Sequence, residues 1–492
     1  MRNIGGNIIV YNVNSSELGT MIKKNRSNIV LIVTLSIVAI ITITSNINNL
    51  FSFLLLTWLF LFLFFIRNWK DNVVMIAFLF TFYVFLMGRE VYYNFTLSND
   101  LYVINDVAAT VHTYRVMVVS LLTVCISYFL FKKHDIAPKN TNSILRLDDE
   151  FVERFKIIAR SIFYMTYIFL LLDLWYKALY IQEVGYVASY TENAVGPGTP
   201  WIVEKLALLS KVSFFCFLAS FPSKKEVRLS ICLYAIYGVL TLLTGQRYPL
   251  IAVVAMIVIY FAIRNAEDGL WIKKHYYIIA ALSIPFASIG LLAVDAIRLG
   301  GVFEFTNIFD GFIDFFTVQG GSINVIKLGK SLESEIPTDR LYTINSILSN
   351  ILNLNPFEHN SLEYAFDGNS FAAIMSVLEY GTSEYLAGHG VGTSYIAELY
   401  HDFGYIGIVL GNVFYGWLIY LIQSIKKGAL IENTFLLLMI SPLLFSPRGE
   451  FDGVIGETFR RGHVVFSLLV IIIVIANMKI SPTSVFDKKE LY

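Results

Sequence analysis

The chain has 492 residues, of which 56% are apolar and only 15% charged, with a mean hydropathy of +0.64. Length alone would suggest roughly three soluble domains, but so few charges cannot cover so much apolar surface in water; the composition points to an all-α polytopic membrane protein whose surplus is hidden by lipid. Basic and acidic residues balance at 37 each, so no net field draws nucleic acid, and the scattered cysteines and histidines offer neither a disulfide framework nor a metal site.

A membrane-spanning helix needs about 20 mostly apolar residues. Twelve stretches qualify: Asn28–Thr44, Leu50–Ile66, Asn72–Gly88, Ala109–Phe131, Ser161–Ile181, Val203–Phe221, Leu229–Thr244, Tyr248–Ile263, Tyr276–Ala296, Phe403–Gln423, Ala429–Ser446 and His463–Met478. The first does not read as a cleavable signal, because its apolar run is long and no small-residue cleavage site follows. Lys and Arg cluster in alternate short connections, among them Lys23-Lys24, Lys132-Lys133, Lys224-Lys225, Lys273-Lys274 and Lys426-Lys427. With twelve alternating spans all of these fall on one side, which the positive-inside rule makes cytoplasmic, together with both termini. Asp148–Arg160, with Phe151, Phe155 and Ile158 among charges, has the spacing of an amphipathic helix on the inner leaflet. The expected division is therefore residues 1–297 with nine spans and the amphipathic helix near 148–160, residues 298–394 as an external helical lid, and residues 395–492 with spans ten to twelve. A connection as long as 298–394, without the composition of disorder, is usually functional.

Basic residues left on the outside are informative against this pattern. Arg247 lies in Thr244-Gly245-Gln246-Arg247-Tyr248-Pro249, a tight turn at the outer end of a helical hairpin. Arg298 ends the ninth span, and Arg448 follows the eleventh in Ser446-Pro447-Arg448-Gly449-Glu450. Any one of these could simply reach for lipid headgroups. Three at similar depth could instead converge on a diphosphate through bidentate hydrogen bonds. The run Gly388-His389-Gly390-Val391-Gly392-Thr393-Ser394 leads into the tenth span, and Glu398 and His401 share one face of that helix start. Either could serve as a general base, or the pair could be a wet helix start. Asp173 and Lys177, one turn apart, are expected to pair. Tyr364, Tyr380 and Tyr385 could stack on sugars but are more simply read as packing the lid. No P-loop and no D-x-D motif is present, so neither ATP nor a metal–nucleotide-sugar complex is expected.

In its span layout, late external loop, turn Thr244–Pro249 and run Gly390-x-Gly392-x-Ser394-x-x-x-Glu398-Leu399-x-x-x-Phe403-Gly404-x-x-Gly407, the chain resembles the Wzy polymerases of O-antigen and capsular repeat units. The related O-antigen ligases carry a His-Asn pair after the glycine run where this chain has Thr393-Ser394. The resemblance implies a GT-C-like membrane glycosyltransferase of lipopolysaccharide or capsule biosynthesis. Its donor would be a growing glycan on undecaprenyl diphosphate, and its acceptor one repeat unit on the same lipid. Transfer would occur on the external face of the bacterial inner membrane, with no metal or cofactor. A flippase and a chain-length regulator are the candidate protein partners. Within that chemistry Arg247, Arg298 and Arg448 would hold the diphosphate, and Glu398, then His401, would act as base. The competing readings are a flippase for the lipid-linked unit, which would not need so large an external loop, and an O-antigen ligase.

Overall fold

The computed structural model describes residues 47–96, 106–134, 149–186, 188–191, 196–269 and 308–480, and every regular element among them is helical. Eight of the described helices are long and apolar enough to cross a membrane. The expected spans Asn28–Thr44 and Tyr276–Ala296, and with them Arg298, lie outside the described residues.

Helix α1 is Ile47–Ile66. Helix α2 runs from Val73–Phe82 through a π-helical turn, Tyr83–Met87, into Gly88–Thr96. Next come α3 (Val107–His134), α4 (Asp149–Val184), α5 (Trp201–Ala219), α6 (Lys224–Leu240) and α7 (Tyr248–Asp268). After residue 308, α8 (Ile308–Gln319), α9 (Ile323–Ser331) and α10 (Phe371–Tyr380) are joined by shorter helical pieces. The chain closes with α11 (Tyr395–Gln423), α12 (Leu430–Phe445), α13 (Gly453–Thr458) and α14 (Arg461–Ile480).

One expectation needs correction. The amphipathic stretch near 148–160 is not a separate helix but the first turns of α4, which continues unbroken for 36 residues. Neither Gly nor Pro occurs from Asp149 to Val184, so nothing terminates the helix once it starts. Its polar beginning is held by the ion pairs Arg154–Glu150 at 2.7 Å and Lys156–Glu226 at 2.9 Å, the latter tying it to α6. At 1.5 Å per residue α4 is about 54 Å long, well over the roughly 30 Å of a hydrocarbon core.

The centre of the bundle is the packing of α3 against α11. Asn412 sits fully buried between them; its Nδ2 donates to Ser120 Oγ at 3.2 Å and its Oδ1 accepts from the Tyr395 hydroxyl at 3.0 Å. On the periphery α4 and α14 leave Met165, Ile168, Trp175, Val465 and Ile472 exposed. An apolar rim of this extent is what a lipid-facing surface requires. Asp173 and Lys177 pair as expected, at 2.7 Å.

Segment 308–394 is docked, not loose. Lys327 of α9 forms an ion pair with Glu90 of α2 at 2.6 Å, and Glu90 also accepts from the Tyr114 hydroxyl of α3. The Lys327 side chain is only 4% exposed, so the pair locks the segment to the bundle at a buried point. Further along, Tyr364 and Tyr385 are buried in a small separate core with Ala373 and Val377, whereas Tyr380 is exposed. The first two therefore pack the segment.

Candidate active site at the head of the bundle

Two local turns present arginines. The 3₁₀ turn Thr241–Thr244 ends in Gly245 at φ +69°, a conformation glycine adopts without strain; this swings the chain over so that Pro249 can start α7. Arg247 sits at that corner. After α12, Pro447 begins a second 3₁₀ turn, Ser446–Arg448, whose last residue donates from Nη1 to Gln319 Oε1 at 2.8 Å. Both arginines line one cavity of about 630 Å³, within the usual range for a small-molecule site. The π-turn of α2 contributes Phe85 to its wall, and segment 308–394 contributes Gln319, Ser346 and Thr393.

Another part of the lining is acidic. Glu450 lines the cavity and accepts from Asn345 Nδ2 at 2.7 Å. Asp452, two residues on, is buried and accepts from the Ile347 amide at 2.7 Å, while its Oδ1 has no hydrogen-bond partner. Burial, reinforced by the charge of Asp452, holds the Glu450 carboxyl well above the ordinary carboxylate range. Burial also pushes Asp452 up to about 6. A proton therefore resides on this wall at a pH where ordinary carboxyls are ionised.

Glu398 lies one layer behind. It is fully buried and does not line the cavity. Its Oε1 accepts from the Thr393 hydroxyl at 2.6 Å and its Oε2 from the Phe451 amide at 2.8 Å. It thus braces two pieces of the cavity wall, Thr393 and the 449–452 loop. The backbone around it explains the glycine spacing. Gly404, at φ +61°, breaks α11, so the 395–403 turn folds back on the helix that follows. Gly407 lies against the Leu399 carbonyl, where any side chain would collide.

The other expected residues are not all brought together. His401 is turned away: its Nε2 donates to the Pro337 carbonyl at 3.1 Å and its ring packs against Tyr342 and Phe371. Arg298 is outside the described residues. Arg247 and Arg448 do meet. Glu450 stands beside Arg448 in the sequence, and the signal available there was three acids, Glu450, Asp452 and Glu457, in one eight-residue stretch between two spanning helices. Gln319 and Thr393 carried none.

Fold and cavity together define an all-α polytopic membrane protein with an arginine–carboxylate pocket at the head of its helices. The chain belongs to the family of O-antigen polysaccharide polymerases, Wzy, whose family model matches residues 27–480. No curated protein and no solved structure matches it. As a member of that family it is an enzyme that polymerises O-antigen or capsular repeat units in a membrane.

Proposed function

We propose that polymerisation is a glycosyl transfer carried out in the 630 Å³ cavity, from a glycan on undecaprenyl diphosphate to a sugar hydroxyl of a lipid-linked repeat unit. The observation that carries this reading is the meeting of Arg247, Arg448 and Glu450 around one space. In the reaction the acceptor oxygen bonds to the anomeric carbon of the donor, and the carbon–oxygen bond to the diphosphate breaks. The lipid diphosphate leaves with the electron pair, and the hydroxyl proton passes to a carboxylate. Two guanidiniums at the leaving group stabilise charge where it develops and offer the planar geometry a diphosphate matches. The base role falls to Glu450, because it reaches the cavity and its affinity for a proton is raised toward the working range. Glu398 acts through Thr393 and Phe451 as a positioning residue. Arg298, at the end of the ninth span, remains our third candidate for the diphosphate and His401 the reserve base.

The same reading has about twelve spans, cytoplasmic termini, and the cavity opening to the exterior beneath segment 298–394. A flippase would deliver the substrate and a chain-length regulator would set the product length. Reporter fusions at Lys225 and Lys427 should score cytoplasmic and one at Tyr342 external. In detergent, the purified protein with synthetic undecaprenyl-diphosphate repeat units should build a ladder without added metal, ATP or nucleotide sugar. A preparation that moves the lipid across liposome bilayers but joins nothing would overturn the transfer reaction.

A further inference from the structure

A second cavity, of about 560 Å³, lies directly beside the first. Tyr248, Pro442 and Glu457 line both, so the partition is a single layer of side chains. Part of its lining is apolar, with Phe215 of α5, Val253 and Met256 of α7, and Leu437 and Leu438 of α12. Into this surface project two cations, Lys211 and Arg460.

Lys211 is the unexpected one. It stands ten residues along α5 from Trp201, about 15 Å at 1.5 Å per residue, among apolar helices. Its Nζ lies 5.3 Å from the centroid of the Tyr237 ring, and no carboxylate among the described residues is within ion-pair distance. Asp173, whose field reaches it, is already paired with Lys177. The charge of Arg460 also reaches Lys211 and repels it. Arg460 spends Nε and Nη2 on Asn350, at 3.1 and 2.8 Å, and its Nη2 also lies 3.6 Å from Oε1 of Glu457, which lines the same cavity. Glu457 offsets Arg460, which leaves Lys211 as the cation on this cavity without a carboxylate partner among the described residues, an arrangement that favours a bound anion. An anion whose tail is apolar matches both walls.

We propose that the second cavity binds the diphosphate head and first isoprene units of a second lipid-linked glycan, the acceptor, beside the donor in the first cavity. This rests on the glycosyl-transfer reading above. A polymerase of lipid-linked units needs two such lipids at once, and the thin partition puts the second diphosphate within an oligosaccharide's reach of the donor's anomeric carbon. After transfer the extended glycan is on the acceptor lipid. It can then cross past Tyr248 and Glu457 to become the next donor without leaving the protein.

Counting bound undecaprenyl diphosphate by native mass spectrometry tests the proposal. The wild-type protein should hold two per chain, Arg247→Ala one, and Lys211→Met one, with Lys211→Arg restoring two. Because Lys211→Met could harm folding, Arg460→Gln at the exposed rim serves as the second variant. It should weaken the second lipid by about tenfold, the effect of one charge-assisted hydrogen bond. Two lipids bound to both Lys211→Met and Arg460→Gln, or only one bound to wild type, would remove the second site while leaving the transfer reaction intact. Two lipids bound by a wild-type protein that forms no polymer would remove the transfer reaction and leave the second site standing. Inorganic diphosphate equimolar with the lipid should displace neither; displacement of the second lipid would mean a free-anion site and overturn the lipid assignment. In polymerisation assays Lys211→Met should lose about tenfold on lipid-linked acceptor and nothing on a lipid-free repeat-unit glycoside. Equal loss on both would mean a structural role and overturn it.

Discussion

The two walls of the main cavity are built in contrasting ways. The arginine wall comes from two short turns, Thr241–Arg247 and Ser446–Arg448, each shaped by its own Gly or Pro. The carboxylate wall comes from residues far apart in the chain: Glu398 grips Phe451 across 53 positions, and Asn345 grips Glu450 across 105. A wall made of local turns needs few long-range contacts to present its charges, the bond from Arg448 to Gln319 being one of them. A wall made by long-range hydrogen bonds acquires its chemistry only when the segments meet, because burial is what raises the proton affinity of Glu450 and Asp452. The comparison predicts that arginine substitutions act on one step, whereas disturbing the carboxylate wall alters pH dependence as well.

The largest effect should come from Glu450→Gln, which keeps size and the bond from Asn345 but removes the base; a fall of about 10²–10⁴ in polymerisation rate is expected. Single repeat units should then replace the ladder on a gel. In wild type the rate should fall as pH drops through the raised proton affinity of Glu450, an acid limb at higher pH than an ordinary glutamate would give. The variant should lack that limb, and an unchanged limb would move the base elsewhere. The stability linkage has the opposite sense. A carboxyl whose folded-state value is raised stabilises the fold at low pH, and that contribution is lost as pH rises from the ordinary glutamate value through the raised one.

Breaking the anchor of segment 308–394 tests how far the arginine wall is independent. Lys327→Met leaves Glu90 buried without its cation, a change that typically costs about 3–5 kcal/mol. The thermal midpoint in detergent should fall clearly, and Gln319, which positions Arg448, should be released. A variant with both stability and rate intact would mean the anchor is dispensable. Arg247→Ala should lower the rate by about 10²–10³, by analogy with removal of one transition-state donor. It should do so evenly across pH, with Arg247→Lys recovering part of the loss. A pH-dependent loss would show that the two walls are electrically coupled. The smallest effect belongs to Glu398→Gln, which gives up one of two hydrogen bonds behind the wall at a cost of about 1–3 kcal/mol. Its rate should lie between those of wild type and Glu450→Gln; a deeper loss than Glu450→Gln would return the base role to Glu398.

Much of the fold was legible in the sequence, because a membrane span is a local property. Twenty apolar residues announce themselves, and the eight long apolar helices coincide with expected stretches. The arginines of the cavity were legible for a similar reason: Gly245 and Pro447 mark turns whichever way the helices pack. The amphipathic pattern at 148–160 misled, since periodicity reports which face is apolar and not whether the helix continues. The absence of any breaker before Val184 was the better guide.

What the tertiary structure alone decided is which polar residues share a space. Glu398 and His401 occupy one helix face in the sequence, yet the break at Gly404 and the fold-back on Gly407 bury the first behind the cavity, and the second packs on Pro337. Glu450, Asp452 and Lys211 look like unremarkable charges in one dimension. Their chemistry comes from desolvation and from neighbours distant in the chain, 105 positions away for both Glu450 and Asp452. Periodicity and turn residues encode local conformation; proton affinity and unpaired charge depend on burial, and burial exists only once the helices have packed.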